Sequence, residues 1–246
     1  MRVAPTISAA IAIGLGVRLV RSRHRRSLHP DGRSFVGEIE VWGAEEPIGS
    51  DLIDRPGRHH VTVRLSKGVG TRPGRPDVLG LAIRVHRPGR AVDLLLSTAG
   101  TGRLSRHLPM PRRRFDTWYG SITSYRTGDR RKVYLAAGPD PGGVRLGRTL
   151  ESAAAAAHHD RGRMLLYARR DGITGPFGRI VFGTRLPPAT DAALAFDAIR
   201  NSTADLHPTG TVHSTRALAY RLSQRWRGAS PAPANPPAVV RTAGHH

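Results

Sequence analysis

The chain predicts an α+β domain built on an antiparallel β-barrel with flanking helices. Seven short segments read as strands: Ser34–Trp42 and His60–Ser66, which alternate with period two, and Leu79–His86, Ala91–Ser97, Lys132–Ala137, Arg163–Arg169 and Arg179–Leu186. Clusters of Gly and Pro punctuate them, at Pro56-Gly57, Arg72-Pro-Gly-Arg-Pro76, Pro88-Gly89 and Pro139-Asp-Pro-Gly-Gly143. Many short strands at this spacing read as a barrel or sandwich. Four further stretches suit helices: Arg112–Tyr125, Leu150–His158, Thr190–Ile199 and Ser214–Arg227.

The first strand alternates Val36, Glu38, Glu40 and Trp42 against Phe35, Gly37, Ile39 and Val41. In the second, Val61, Val63 and Leu65 form an apolar face, and His60, Thr62, Arg64 and Ser66 a polar one. A wholly polar strand face either meets solvent or lines a polar site. Phe115, Trp118 and Tyr119 fall on the first helical stretch, where they suit core packing. Residues 26–227 make one domain, preceded by an apolar and basic segment, 1–25. A Pro- and Ala-rich tail, 228–246, lacks the apolar content of a packed core.

Composition sets outer limits. With 246 residues and 39% hydrophobic content, one domain can bury a sizeable core. The absence of Cys excludes disulfides, thiolate ligands and iron–sulfur clusters. Adjacent His59 and His60 on a strand point to opposite faces and cannot chelate together. No zinc spacing, phosphate loop or nucleophile elbow is present.

The formal charge of +21 raises the reading of a basic nucleic-acid-binding protein. The arginines are spread along the chain without a zinc-finger, homeodomain or RNA-recognition pattern, so specific nucleic-acid binding is not expected. Val3–Val17 is apolar and Arg18–Arg26 basic. Fifteen residues are short for a membrane span of about 20. The expected location is the cytoplasm, with peripheral membrane contact through this segment as an option.

Chemistry concentrates at the two ends of the domain. In Arg216-Ala-Leu-Ala-Tyr220, the Arg and Tyr share one helix face a turn apart, and Arg227 returns to nearly the same face. A cation beside a phenol favours phenolate, and phenolate suits ferric haem. Near the start stand Arg26, His29-Pro-Asp-Gly32 and Val63-Arg64-Leu65-Ser66. Pro76-Asp77-Val78-Leu79-Gly80-Leu81-Ala82-Ile83 and Asp93-Leu94-Leu95-Leu96-Ser97 follow.

In order and spacing these stretches resemble the haem catalase superfamily, in particular its short, minimal members. The resemblance runs from about Arg26 to Arg227. It implies haem b as cofactor, His29 as distal acid/base and Tyr220 as proximal iron ligand. It gives Arg26, Arg64 and Arg227 the propionates, with Arg216 supporting Tyr220. Ser66 would orient His29 through its second ring nitrogen. Arg suits the propionates because its planar fork grips a carboxylate with two hydrogen bonds.

Two positions depart from the family pattern. Ser97 stands where the family has a distal Asn, and a hydroxyl is shorter than an amide and rotates. Weak catalase activity, or peroxidase activity on a second substrate, is the expected result. Pro30 follows His29 and biases it toward extended backbone. The expected partners are hydrogen peroxide or an organic hydroperoxide and a reducing substrate, with a homo-oligomer compatible. A non-enzymatic haem-binding member of the same fold is the alternative.

Overall fold

In the computed structural model, residues 29, 31–100, 102, 105–170 and 175–209 are described. Eight antiparallel strands close into a barrel. In chain order they are β1 (Asp31–Val41), β2 (Gly57–Lys67), β3 (Leu79–Arg87), β4 (Arg90–Ser97), β5 (Tyr119–Gly120), β7 (Lys132–Pro139), β8 (Gly162–Arg169) and β9 (Pro176–Arg185). The ladder runs β1-β2-β3-β4-β5-β7-β8-β9, and β9 pairs back to β1. Two short strands, β6 (Tyr125–Thr127) and β10 (Leu206–Pro208), extend the free part of β7. The α+β barrel class is the one predicted, and each of the seven expected strands is present.

Closure removes the sheet edges and sorts side chains by parity, with register shifts on the β9 side at Phe35/Gly37 and Leu166/Tyr167. The rows Val61–Val85–Val92, Val63–Ile83–Leu94 and Leu65–Leu81–Leu96 cross β2, β3 and β4 and fill the interior. Phe35, Ile39, Ile180 and Phe182 join them from β1 and β9. The polar face of β2 therefore points outward, yet Thr62, Arg64 and Ser66 are buried. They line a covered layer rather than meeting solvent.

The cover is the segment Leu186–Asn201, which begins with the short helix α3 (Pro188–Ala193). Leu186, Leu194 and Phe196 pack on the outward side chains Val36, Ala82 and Leu95. Beside them lies a buried ion pair, Arg84 Nε to Asp93 Oδ1 at 2.7 Å, with a second contact from Arg84 Nη2 to Asp93 Oδ2 at 2.7 Å. The pair anchors the strap directly. Arg84 donates to the Ala195 carbonyl at 2.6 Å, and Asp93 accepts from Asp197 N–H at 2.7 Å and Asn201 Nδ2 at 2.8 Å.

These contacts correct the helix expected over Thr190–Ile199. The helix stops at Ala193, because the next carbonyl and amide groups are taken by Arg84 and Asp93 and cannot continue the i→i+4 series. The helix expected over Arg112–Tyr125 is also absent. Arg112 and Asp77 bond each other's backbone, Phe115 N–H reaches Gly147 O, and Tyr119–Gly120 bridges β4 to β7. Without that bridge the barrel could not close, and tertiary pairing overrides local propensity. Phe115 and Tyr119 do enter the core, but Trp118 is 42% exposed.

The helix expected at Leu150–His158 is α2 (Leu150–Asp160), opened by a capping box between Thr149 and Ser152. With a four-residue turn of helix, α1 (Asp51–Asp54), and a single 3-10 turn at Ser105–His107, these are the helices among the described residues. The stretch Ser214–Arg227, the segment 1–25 and the tail 228–246 lie outside the described residues.

Two predictions follow from the covered layer. Asp93→Ala leaves the Arg84 charge buried and unpaired, and should destabilise the fold by about 3–5 kcal/mol in urea unfolding, with faster proteolysis in the strap. His86, held by Thr62 Oγ1 at 2.9 Å, has its pKa lowered to about 4 by burial and by the Arg84 charge. Above about pH 6.5 it is neutral folded or unfolded. Below that only the unfolded chain takes up the proton, so stability should fall as the pH drops from about 6.5 toward 4. His86→Gln should flatten this limb in pH-dependent urea melts.

Candidate functional site

One level of the outer face is stripped of bulk. Register places Gly32 beside Ser66, Ser66 beside Gly80, Gly80 beside Ser97, Ser97 beside Gly120 and Gly120 beside Ala136. Six neighbouring strands thus present nothing larger than a serine hydroxyl along this band.

His29 lies on the band. A Cβ added to Gly80 would stand 2.6 Å from His29 Cε1 and Nδ1, and a Cβ on Gly32 would overlap the Arg64 guanidinium. The two glycines are thus what lets an imidazole and a guanidinium lie directly on the sheet. Ser66 Oγ contacts His29 Nδ1 at 3.0 Å and donates toward the Gly80 carbonyl at 3.4 Å. With its proton directed to that carbonyl, the hydroxyl accepts from Nδ1–H, and Nε2 becomes the basic nitrogen.

The backbone of His29 is held as well. Its N–H donates to Gly68 O at 3.3 Å, and its carbonyl accepts from Arg64 Nη1 at 3.4 Å. Its φ is +55°, left-handed rather than the extended backbone expected before Pro30. For a non-glycine residue this conformation is strained, and the surrounding contacts must over-determine it.

Arg64 is 5% exposed and binds a carboxylate, its Nε lying 3.3 Å from Asp191 Oδ1. Ser34 Oγ donates to the same carboxylate. Ser97 lies one strand beyond Gly80 and is buried, with its hydroxyl donating to Leu79 O at 3.3 Å. The structure therefore brings His29, Arg64 and Ser66 into one connected group and places Ser97 on the same band. Arg26, Arg216, Arg227 and Tyr220 lie outside the described residues. No group of three or more His, Asp or Glu side chains arranged for a metal ion occurs among the described residues.

The sequence reading gave no role to Asp191, Ser34, Gly32 or Gly80. The glycines stood inside the quoted motifs, and period-two parity assigns Gly80 to the face of Ser66. Asp191 comes from the strap, 127 residues from Arg64, and no local pattern links them.

The fold is catalase-like: a closed eight-stranded antiparallel barrel with few helices. Catalase A from Saccharomyces cerevisiae superposes with a TM-score of 0.59 at 12% identity, covering 88% of this chain and 64% of that one. A fungal catalase gives 0.62 at 14% identity, with 92% and 63% covered. A bacterial catalase gives 0.59 at 13%, with 92% and 62% covered. The chain thus spans less than two-thirds of the length of each, and at these identities the likeness is one of fold. No protein-family model matches the chain, and no curated protein does.

The Ser66 contact makes a direct prediction. In ¹⁵N NMR, His29 should be the Nδ1–H tautomer when neutral, and Ser66→Ala should shift it toward the Nε2–H form. An unchanged tautomer would show that Ser66 does not set it.

Proposed function

We propose that the protein is a haem-dependent peroxidase or weak catalase acting on hydrogen peroxide or organic hydroperoxides. The observation that carries this reading is His29, laid on Gly80 and held at Nδ1 by Ser66, beside buried Arg64 on the outer face of a catalase-like barrel.

The residues present fit a haem. The band from Gly32 to Ser97 offers a low floor for a planar group, and Arg64 already shows itself to be a carboxylate binder through Asp191. Arg64, with Arg26 and Arg227, would hold the propionates. Tyr220 would be the iron ligand, kept as phenolate by Arg216. Haem, when bound, supplies the iron that cleaves the peroxide O–O bond.

The protein's own residues do the remaining work. Nε2 of His29 takes the proton from one peroxide oxygen and returns it to the other as that oxygen leaves. Ser66 keeps Nδ1 engaged, so that Nε2 is the nitrogen that exchanges the proton. Ser97 supplies a hydroxyl one strand beyond Gly80 on the same band. Reorienting it from Leu79 O toward a peroxide trades one hydrogen bond for another, which weakens its grip relative to a preorganised donor.

A second reading has its own support. Asp191 already occupies Arg64 Nε, and Ser34 donates to that same carboxylate. A non-enzymatic haem binder of the same fold would tolerate such a contact. The cytoplasmic location, the N-terminal membrane contact and a homo-oligomer belong to this proposal and rest on sequence alone. Among the described residues, no helix is long and apolar enough to cross a membrane.

His29→Ala should retain haem while lowering peroxide turnover by about 100-fold or more, measured by oxygen release and by oxidation of a phenolic donor. Tyr220→Phe should lose haem or change its ligand band. Full turnover in the first variant would remove His29 from the chemistry. A wild-type protein that holds haem without turnover supports the second reading.

A further inference from the structure

Beyond Ser97 the band runs into a recess that the proposed chemistry has not used. Its floor is Gly120 and Ala136, and a Cβ added at Gly120 would meet nothing within 4 Å. Three aromatic side chains surround this floor. Trp118 lies across Gly138, where an added Cβ would stand 2.8 Å from its ring, and it reaches Tyr167 with ring centroids 4.9 Å apart. Tyr167 is the β8 neighbour of Ala136, and Tyr134 precedes Ala136 by two residues on the same face of β7. The fourth side opens along the band toward Ser97.

Two cations stand at the Tyr134 end. The Arg106 guanidinium lies 4.5 Å above the Tyr134 ring, and Arg169 is the β8 neighbour of Tyr134. The Nε of Arg169 is buried without a hydrogen-bond partner. Burial and the nearby charge of Arg106 both lower the pKa of Arg169. Arg169, with an unsatisfied buried donor and within the field of the Arg106 charge, is a group that an anion would relieve. Aromatic walls and a floor with nothing larger than a methyl group select a flat ring.

We propose that this recess binds a small aromatic carboxylate of the hydroxybenzoate class. Its ring would lie on Gly120 and Ala136, its carboxylate against Arg106 and Arg169, and its hydroxyl toward Ser97. Strand spacing puts Gly120 about 10 Å from Gly80, on which His29 lies. The recess would thus hold the reducing substrate beside the peroxide site. That role rests on the proposed peroxidase function. Each of two hydroxybenzoate molecules gives up one electron and one proton. One hydrogen peroxide takes up both electrons and both protons and becomes two waters. Binding itself requires no haem.

The test is titration calorimetry of the full chain, without haem, against 4-hydroxybenzoate, 4-hydroxybenzyl alcohol and cyclohexanecarboxylate. The proposal expects 4-hydroxybenzoate to bind at least tenfold tighter than the other two. Arg169→Gln should weaken it tenfold or more, and Gly120→Val, checked for folding by circular dichroism, should abolish it. Arg163→Gln, an exposed arginine elsewhere on β8, should leave it unchanged.

No binding, or binding that neither recess variant alters, would overturn the proposal. So would tighter binding of a thymidine 12-mer lost in the same variants, which would make the patch a surface for single-stranded nucleic acid. Failure of haem uptake with binding intact sinks the peroxidase reading alone. In haem-loaded protein, peroxide turnover on a neutral donor with no effect of 4-hydroxybenzoate sinks the recess alone.

Discussion

Closure of the barrel through the β7–β8 ladder is the constraint on which the rest depends. A closed eight-stranded sheet fills its interior with side chains and leaves no room there for Arg64, Arg84, Asp93 or His29. Those groups go to the outer face, where water would ordinarily reach them. The strap Leu186–Asn201 covers much of this face, and the Arg84–Asp93 pair holds the strap by its backbone. Arg64, Arg84 and Asp93 therefore lie between barrel and cover, in a layer dry enough to make charges and hydrogen bonds matter.

On the outer face the proposed site depends on missing side chains as much as on present ones. Gly80 and Gly32 give His29 and Arg64 a place to lie, and Gly120 leaves a floor open farther along the same level. His29 accepts a left-handed backbone to occupy its place. The strain sits at the residue with the most demanding proposed task, as expected where surrounding contacts fix a reactive group.

The strands were legible because period two is a local property, and Val61, Val63 and Leu65 mark the core face without any knowledge of the partner strands. The motif around His29 and Ser66 was legible as a resemblance, and the structure places the two side chains in contact. The Arg112–Tyr125 and Thr190–Ile199 segments were not legible, because distant partners decide their backbones. Closure makes β5 a strand, and the Arg84–Asp93 pair stops α3. Asp191 was hidden for the same reason: its carboxylate matters through Arg64, and only the strap's path brings them together.

We propose that the outer face around His29 holds haem, with Tyr220 as its iron ligand. Titrating the full chain with ferric haem and recording its absorption spectrum tests this reading. The spectrum should saturate at one haem per chain, with a Soret band and charge-transfer bands of high-spin ferric tyrosinate type that change on adding peroxide. Uptake without a saturating stoichiometry, or the same spectrum from a chain with both His29 and Tyr220 replaced, would contradict it.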